Sequence, residues 1–287
     1  MNCLEISSIG SACGKNPFEP KYKTMLLLLC RRFPYEFKQR FKDLKLIEPK
    51  EDKTYDIEIK QKYKEIKKTI KNPEDFERNK KIIIDEIKSK PDCKDSDVKH
   101  AEDFLNSSMK KDCGTNNEPT VIQNKKYKKG NNKLYTYSQN DWIIKGYNDA
   151  TDSDTVIEIK TRMSQRNVRK NEYDLYQLFG YLLAMNKTKG QIVQYFNNII
   201  YNSEEENEKE YGIIDITVEP YRNKFLQFKK ELNEFFIELR HYASNTDKFD
   251  INIVFPKIER IALYDEDGQM YNVNPKYERI IQTFTNL

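Results

Sequence analysis

Ile144-Lys145-Gly146-Tyr147-Asn148-Asp149, followed by Thr155-Val156-Ile157-Glu158-Ile159-Lys160, is the stretch whose reading decides the fold. From Thr155 to Thr161, apolar and polar residues alternate over a β-branched run, the pattern of a strand. Side chains two apart on a strand share a face, so Glu158 and Lys160 point one way and Ile157 and Ile159 point to the core. Trp142 to Ala150 reads as a second strand, joined to the first by the polar turn Thr151-Asp152-Ser153-Asp154. With a four-residue loop, Asp149 stands across from Val156, on the Glu158 face and diagonal to it. Diagonal neighbours lie roughly 7–8 Å apart, within reach of one bridging ion. Two carboxylates at that distance are hard oxygen donors suited to Mg²⁺ or Mn²⁺.

Lys160 adds the third part of a hydrolytic set. Phosphodiester hydrolysis needs an activated water and compensation of charge on the phosphate. A divalent ion supplies both, and an adjacent ammonium orients the water or offsets the developing charge. The competing reading is a surface hairpin of alternating charges. In a chain that is 33% charged, an Asp…Glu-x-Lys pattern also arises by chance, so its neighbours must decide.

Composition narrows the field. The chain has 287 residues, enough for one large domain or a core with an accessory lobe. Hydrophobic content is 37% and mean hydropathy is −0.88, polar for a globular protein, yet the apolar residues fall in periodic runs. A formal charge of +4 is too small to diagnose nucleic-acid binding. The five cysteines, Cys3, Cys13, Cys30, Cys93 and Cys113, form no CxxC pair and follow no signal peptide. Free thiols in an intracellular, reducing compartment are expected, and neither a zinc site nor an iron–sulfur cluster. The longest apolar run, Met25 to Cys30, is far too short to span a bilayer.

Periodicity sketches the rest. Helices are expected over Tyr22–Arg32, Tyr35–Leu44, Lys60–Lys71, from Pro73 to Lys90, and over Asp95–Met109 with Ser96 as N-cap. Strands follow at Thr120–Gln123, Lys133–Ser138, Trp142–Ala150 and Thr155–Thr161. Then come a helix over Glu172–Ala184, a strand at Gly190–Asn197, an acidic loop at Ser203–Glu210, a strand at Ile213–Val218 and a long helix over Tyr221–Tyr242. A turn is expected at Asp265–Gly268. The fold class is α/β, with a mixed central sheet flanked by helices. Residues 1–92 read as a helical N-terminal lobe integral to the fold, and 93–287 as the core with a C-terminal helix and tail.

Several segments now match one family in order. Ser7-Ser8-Ile9-Gly10 with Gly14-x-Asn16-Pro17-Phe18, Glu102 within Val98-Lys99-His100-Ala101-Glu102, Gly146-x-x-Asp149 with Glu158-x-Lys160, and Gln177-Leu178-Phe179-Gly180-Tyr181 resemble the motifs of the PD-(D/E)XK nucleases. Within them the chain is similar to the phage lambda exonuclease and YqaJ-like viral recombinase group, over roughly residues 1–240. The segment around residues 45–90 is poorly matched, and the usual glycine before the helical glutamate is missing.

The resemblance implies a restriction-endonuclease-like core and a Mg²⁺- or Mn²⁺-dependent DNA exonuclease. It would digest duplex from an end, 5′-to-3′, in viral or phage recombination, replication or repair. Asp149 and Glu158 would bind the metal, joined by the Ile159 carbonyl and by Glu102, and Lys160 would position the attacking water. Gln177 and Tyr181, four apart on one helix face, would bind substrate phosphate or nearby backbone. Ser7 and Ser8 would meet a DNA phosphate, against their plainer reading as turn formers. Arg162, Arg166, Arg169 and Lys170 suit DNA backbone contacts, against a solvated basic loop. The implied partners are DNA, a single-strand annealing protein and further copies of the chain, with no membrane. For a viral protein the compartment is the host cytoplasm or nucleus. Two rivals stand beside this: a metal-dependent endonuclease on DNA or RNA, hinted at by His100, and a non-catalytic nucleic-acid-binding module.

Overall fold

The computed structural model describes residues 2–49, 56–70, 73–91, 93–130, 133–139, 142–162, 169–196, 211–255, 261–264, 270–271 and 273–284. In chain order the elements begin with β1 (Asn2–Glu5), α1 (Ile9–Ala12), α2 (Lys21–Arg32), α3 (Pro34–Asp43) and β2 (Ile47–Pro49). Then come α4 (Asp56–Ile66), α5 (Pro73–Lys88), α6 (Asp95–Lys125), β3 (Lys128–Lys129), β4 (Tyr135–Gln139) and β5 (Trp142–Gly146). The hairpin β6 (Ala150–Asp152) and β7 (Thr155–Arg162) leads to α7 (Glu172–Met185), β8 (Lys189–Phe196), β9 (Tyr211–Thr217) and α8 (Arg222–Ser244). β10 (Ala262–Tyr264), β11 (Met270–Tyr271) and α9 (Glu278–Ile281) close the chain. The expected acidic loop at 203–210 and the turn at 265–268 lie outside the described residues.

The fold is α/β with mixed sheets. The central sheet has the order β3-β6-β7-β8-β9, with β7 and β8 parallel and the other pairs antiparallel. A parallel pair needs a crossover, and α7 provides it. A second sheet runs β1-β5-β4, with β1 parallel to β5, and a third runs β11-β10-β2. β7 is buried on both faces. Ile157 and Ile159 pack with Val121 of α6 and Val193 of β8, while Val156 belongs to the main core under α7. α7 is apolar almost all round, with Leu175, Tyr176, Leu178, Phe179 and Leu182 buried, as suits a helix enclosed by protein. α1 crosses it closely.

Three sequence expectations change. Thr120–Gln123 is helix, not strand: α6 continues from Asp95 to Lys125, straight through Pro119. A proline inside a helix costs about 3 kcal/mol, but Val121 is fully buried against β7, and that packing outweighs local propensity. The N-cap is Lys94, two residues before Ser96, and the Asp97 carboxylate accepts from the Lys94 amide at 3.0 Å. The strand expected over Trp142–Ala150 is two strands in different sheets, broken at residues 147–149. Residues 4–47 contribute to the main core, whereas a separate apolar cluster joins α4, α5 and the first turns of α6, from Ile59 to Leu105. Cys3, Cys13, Cys30 and Cys93 are free thiols.

A Cβ on Gly10 would lie 2.7 Å from Tyr173 Cβ and 2.9 Å from its Cα. Gly10→Ala gains helix propensity of up to about 1 kcal/mol but must push Tyr173 and the start of α7 away, at about 1–3 kcal/mol. We expect a net loss of about 1–2 kcal/mol in urea unfolding; a variant as stable as the parent would show that α1 and α7 do not pack this closely.

Candidate active site

The β6–β7 hairpin is tighter than the sequence suggests. Ala150 pairs with Ile157, Thr151 with Val156 and Asp152 with Thr155, leaving Ser153-Asp154 as a two-residue turn with Ser153 at φ +50°. Continuing that register sets Asp149 beside Glu158 rather than across from Val156. The slip is two residues, an even number, so the face is preserved. The Ile159 amide donates to Asp149 Oδ2 at 2.7 Å and locks the carboxylate against β7.

Glu158 and Lys160 share a face, with Lys160 Nζ 2.6 Å from Glu158 Oε1. That face is covered by α7, so the surface-hairpin reading fails: Glu158 is 2% exposed. Gln177 stands over the pair. Its Nε2 donates to Glu158 Oε1 at 2.7 Å, and its Oε1 accepts from Lys160 Nζ at 2.9 Å. One turn on, Tyr181 Oη donates to the Tyr147 carbonyl at 2.6 Å and pins the break before Asp149. Around the same break, Asn148 Nδ2 donates to the Ala150 carbonyl at 2.8 Å and the Gly130 amide to the Asp149 carbonyl at 2.9 Å. Only glycine fits at 130, since a Cβ there would lie 2.2 Å from the Asn148 carbonyl oxygen.

These groups open into a cavity of about 510 Å³ that also takes in Ser7 and Glu118. Glu118 lies on α6 immediately before Pro119 and lines the cavity with Glu5, Asp149 and Glu158. Sequence reasoning missed it because the helical pattern stops at Met109 and Thr120–Gln123 reads as a strand. Glu102, on the same helix, is elsewhere: it lines a separate hollow with Lys88, Cys93 and Lys99. The two glutamates are sixteen residues apart, more than four turns, or about 24 Å along the axis.

Crowding shifts these acids. Burial, then the Glu158 charge, raises the Glu118 carboxyl to about 7. Burial, then the Glu118 charge, holds Asp149 above the usual carboxylate range. Burial and the Asp149 charge do the same to Glu158, against the pull of Lys160. Burial alone would lower the Lys160 ammonium, but Glu158, Asp174 and Asp149 together keep it above its ordinary value.

The other sequence-predicted residues divide. Ser7 lines the cavity; Ser8 is buried and its Oγ accepts from Arg279 at 3.4 Å. Arg162 is tied up in an ion pair with the fully buried Asp174 and is not free as a surface contact. The backbone of Arg169 is clasped by the buried Gln194 of β8 through its amide (3.1 Å) and its carbonyl. Lys170 sits 3.8 Å above the Tyr221 ring. Arg166 lies outside the described residues. Among the described residues no helix is long and apolar enough to cross a membrane.

The raised carboxyls carry a pH signature. A folded-state carboxyl pKa above its unfolded value means the folded chain holds extra protons between the two values, so stability falls as pH rises through that window. For Glu118 the window runs from about 4.5 to about 7. The melting temperature without added metal should therefore decline over that range, and the raised Glu158 carboxyl extends the decline beyond it. Glu118→Gln should flatten part of the slope; an unchanged slope would mean that burial and the Glu158 charge do not raise the Glu118 carboxyl.

No family model matches the chain, and no curated protein does. Solved structures do. The chain is similar to an alkaline exonuclease from Laribacter hongkongensis, at 13% identity over 47% of this chain and 71% of that one, with a TM-score of 0.36. It is similar to a phage-related exonuclease from Haemophilus somnus 129PT, at 10% identity over 86% of this chain and 96% of that one, with a TM-score of 0.38. A third, SSO0001, is 16% identical over 53% of this chain and 70% of its own, with a TM-score of 0.31.

Proposed function

We propose that the chain is a Mg²⁺- or Mn²⁺-dependent DNA nuclease working at the cavity under α7. The observation that carries this reading is the buried Glu158–Lys160–Gln177 triangle with Asp149 locked beside it. The donor set fits a hard divalent ion. Glu158 Oε2 is buried with no hydrogen-bond partner, and three carboxyls in the cavity are all held above their ordinary range. As the side chains stand, no three acids, cysteines or histidines among the described residues converge on one point. Asp149 and Glu158 would hold the ion with the Ile159 carbonyl, and Glu118 would replace Glu102 as the helix-borne acid. When bound, the ion acidifies a water and polarises a phosphoryl oxygen.

The chain's own residues do the rest. Lys160, kept cationic by the surrounding acids, donates to the attacking water or to the developing charge on the phosphate. Gln177 holds Lys160 and Glu158 at fixed separation. Tyr181, which also lines the cavity, fixes the Tyr147 carbonyl and so the approach of Asp149. Ser7 is the hydroxyl placed to meet a phosphate, whereas Ser8 is buried beneath Arg279. Exonucleolytic digestion of duplex from a 5′ end, recombination of viral or phage DNA, an annealing partner and self-assembly are the finer parts of the proposal. They rest on the motif resemblance alone.

Glu158→Gln and Lys160→Ala should each lower Mg²⁺-dependent DNA degradation by at least about 100-fold. Glu118→Gln should be severely impaired and Glu102→Gln close to the parent. Undiminished activity in the Glu158 or Lys160 variant would sink the proposal, and loss in Glu102→Gln with retention in Glu118→Gln would reverse the assignment. A time course on end-labelled linear duplex against a covalently closed circle tests the exonuclease part: loss of the linear form alone is expected, and cutting of the circle would make the enzyme an endonuclease.

A further inference from the structure

The strand that leads into the catalytic cavity ends in residues that hydrolysis does not use. Along β5, Trp142 and Ile144 are buried and Lys145 is exposed. Tyr147, two residues beyond Lys145, continues on the same side and is 57% exposed. On the neighbouring strand Tyr135 pairs with Gly146, so the register carried one step further sets Leu134 opposite Tyr147. Leu134 is 42% exposed. Lys145, Tyr147 and Leu134 all line the cavity that holds Glu158 and Lys160.

An aromatic ring and an aliphatic side chain thus stand together in water at the mouth of a charged cavity. Their backbone is not loose. Tyr147 is held by Tyr181, Asn148 by the Ala150 carbonyl, and Asp149 by Gly130. The β1 neighbour of Lys145, Glu5, is engaged by Arg31 (3.2 Å) and Arg279 (2.8 Å), which leaves the Lys145 ammonium facing the cavity without that carboxylate. A fixed backbone carrying a free ring is preorganised: a flat ligand stacks on it with little ordering cost.

We propose that Tyr147, Leu134 and Lys145 form a nucleotide subsite at the mouth of the cavity. Tyr147 stacks on the base next to the phosphate under attack, Leu134 extends the ledge, and Lys145 takes the adjoining phosphate. The proposal deepens the nuclease reading of the same cavity and rests on it.

The test is binding of a short DNA end-labelled with 2-aminopurine, whose fluorescence falls on stacking, in EDTA so that cleavage plays no part. Tyr147→Ala should weaken binding by about 5- to 100-fold and lose the quenching, and Tyr147→Phe should keep both. Lys145→Gln should keep the quenching and reduce the salt dependence by roughly one phosphate contact. Tyr147 is exposed, so these variants should melt as the parent does. If Tyr147→Ala binds and quenches like the parent, or Tyr147→Phe is as weak as Tyr147→Ala, the subsite is wrong. A parent protein that binds with quenching but does not cut in Mg²⁺ overturns the nuclease reading and supports the subsite. A parent that cuts, with Tyr147→Ala indistinguishable from it, overturns the subsite alone.

Discussion

The Glu158 carboxylate, buried beneath α7, is the constraint the rest of the structure serves. A carboxylate removed from water is costly unless paired and hydrogen-bonded. Lys160 on the same strand and Gln177 from the helix above offset that cost through one shared oxygen, and the second oxygen is left without a protein partner. For Gln177 to reach down, α7 must present that side to β7, and Tyr181 follows one turn later on the same side. The close crossing of α1 at Gly10 helps hold the helix at that height. The main core thus fixes the rotation of α7 and the placement of the site together.

Asp149 is placed by different means. It lies where the chain leaves one sheet and enters another, in a segment with no strand pairing of its own. The Tyr181 hydroxyl, the Asn148 amide, the Gly130 backbone and the Ile159 amide take up the hydrogen-bonding groups of that break. Backbone groups buried outside regular structure need such partners. The same clamps that position the acid also present Tyr147 at the cavity mouth.

The basic residues near the site have unequal freedom. Arg162 is committed to Asp174, and the backbone of Arg169 to Gln194. These contacts order the chain around the C-terminal end of β7 more than they offer charge to a ligand. The charge available inside the cavity comes from Lys160 and Lys145.

Much was legible in the sequence because it is local. Strand parity put Glu158 and Lys160 on one face, and the even slip of the hairpin left Asp149 on that face too. The helices with strong periodicity, such as Lys21–Arg32 and Glu172–Met185, lie within a residue or two of where their patterns place them. What sequence could not show is where local rules lose to packing. The helical pattern stops at Met109 and Thr120–Gln123 reads as a strand, yet burial of Val121 against β7 carries α6 on through Pro119, and only then does Glu118 instead of Glu102 reach the acids of the cavity. Likewise the pattern from Trp142 to Ala150 reads as one strand, because nothing local marks the change of sheet. By itself the sequence determined which strand carries the acid and the lysine, since a period of two needs only neighbours. Tertiary structure alone decided which helix-borne glutamate joins them and what neutralises them, because those depend on contacts between segments far apart in the chain.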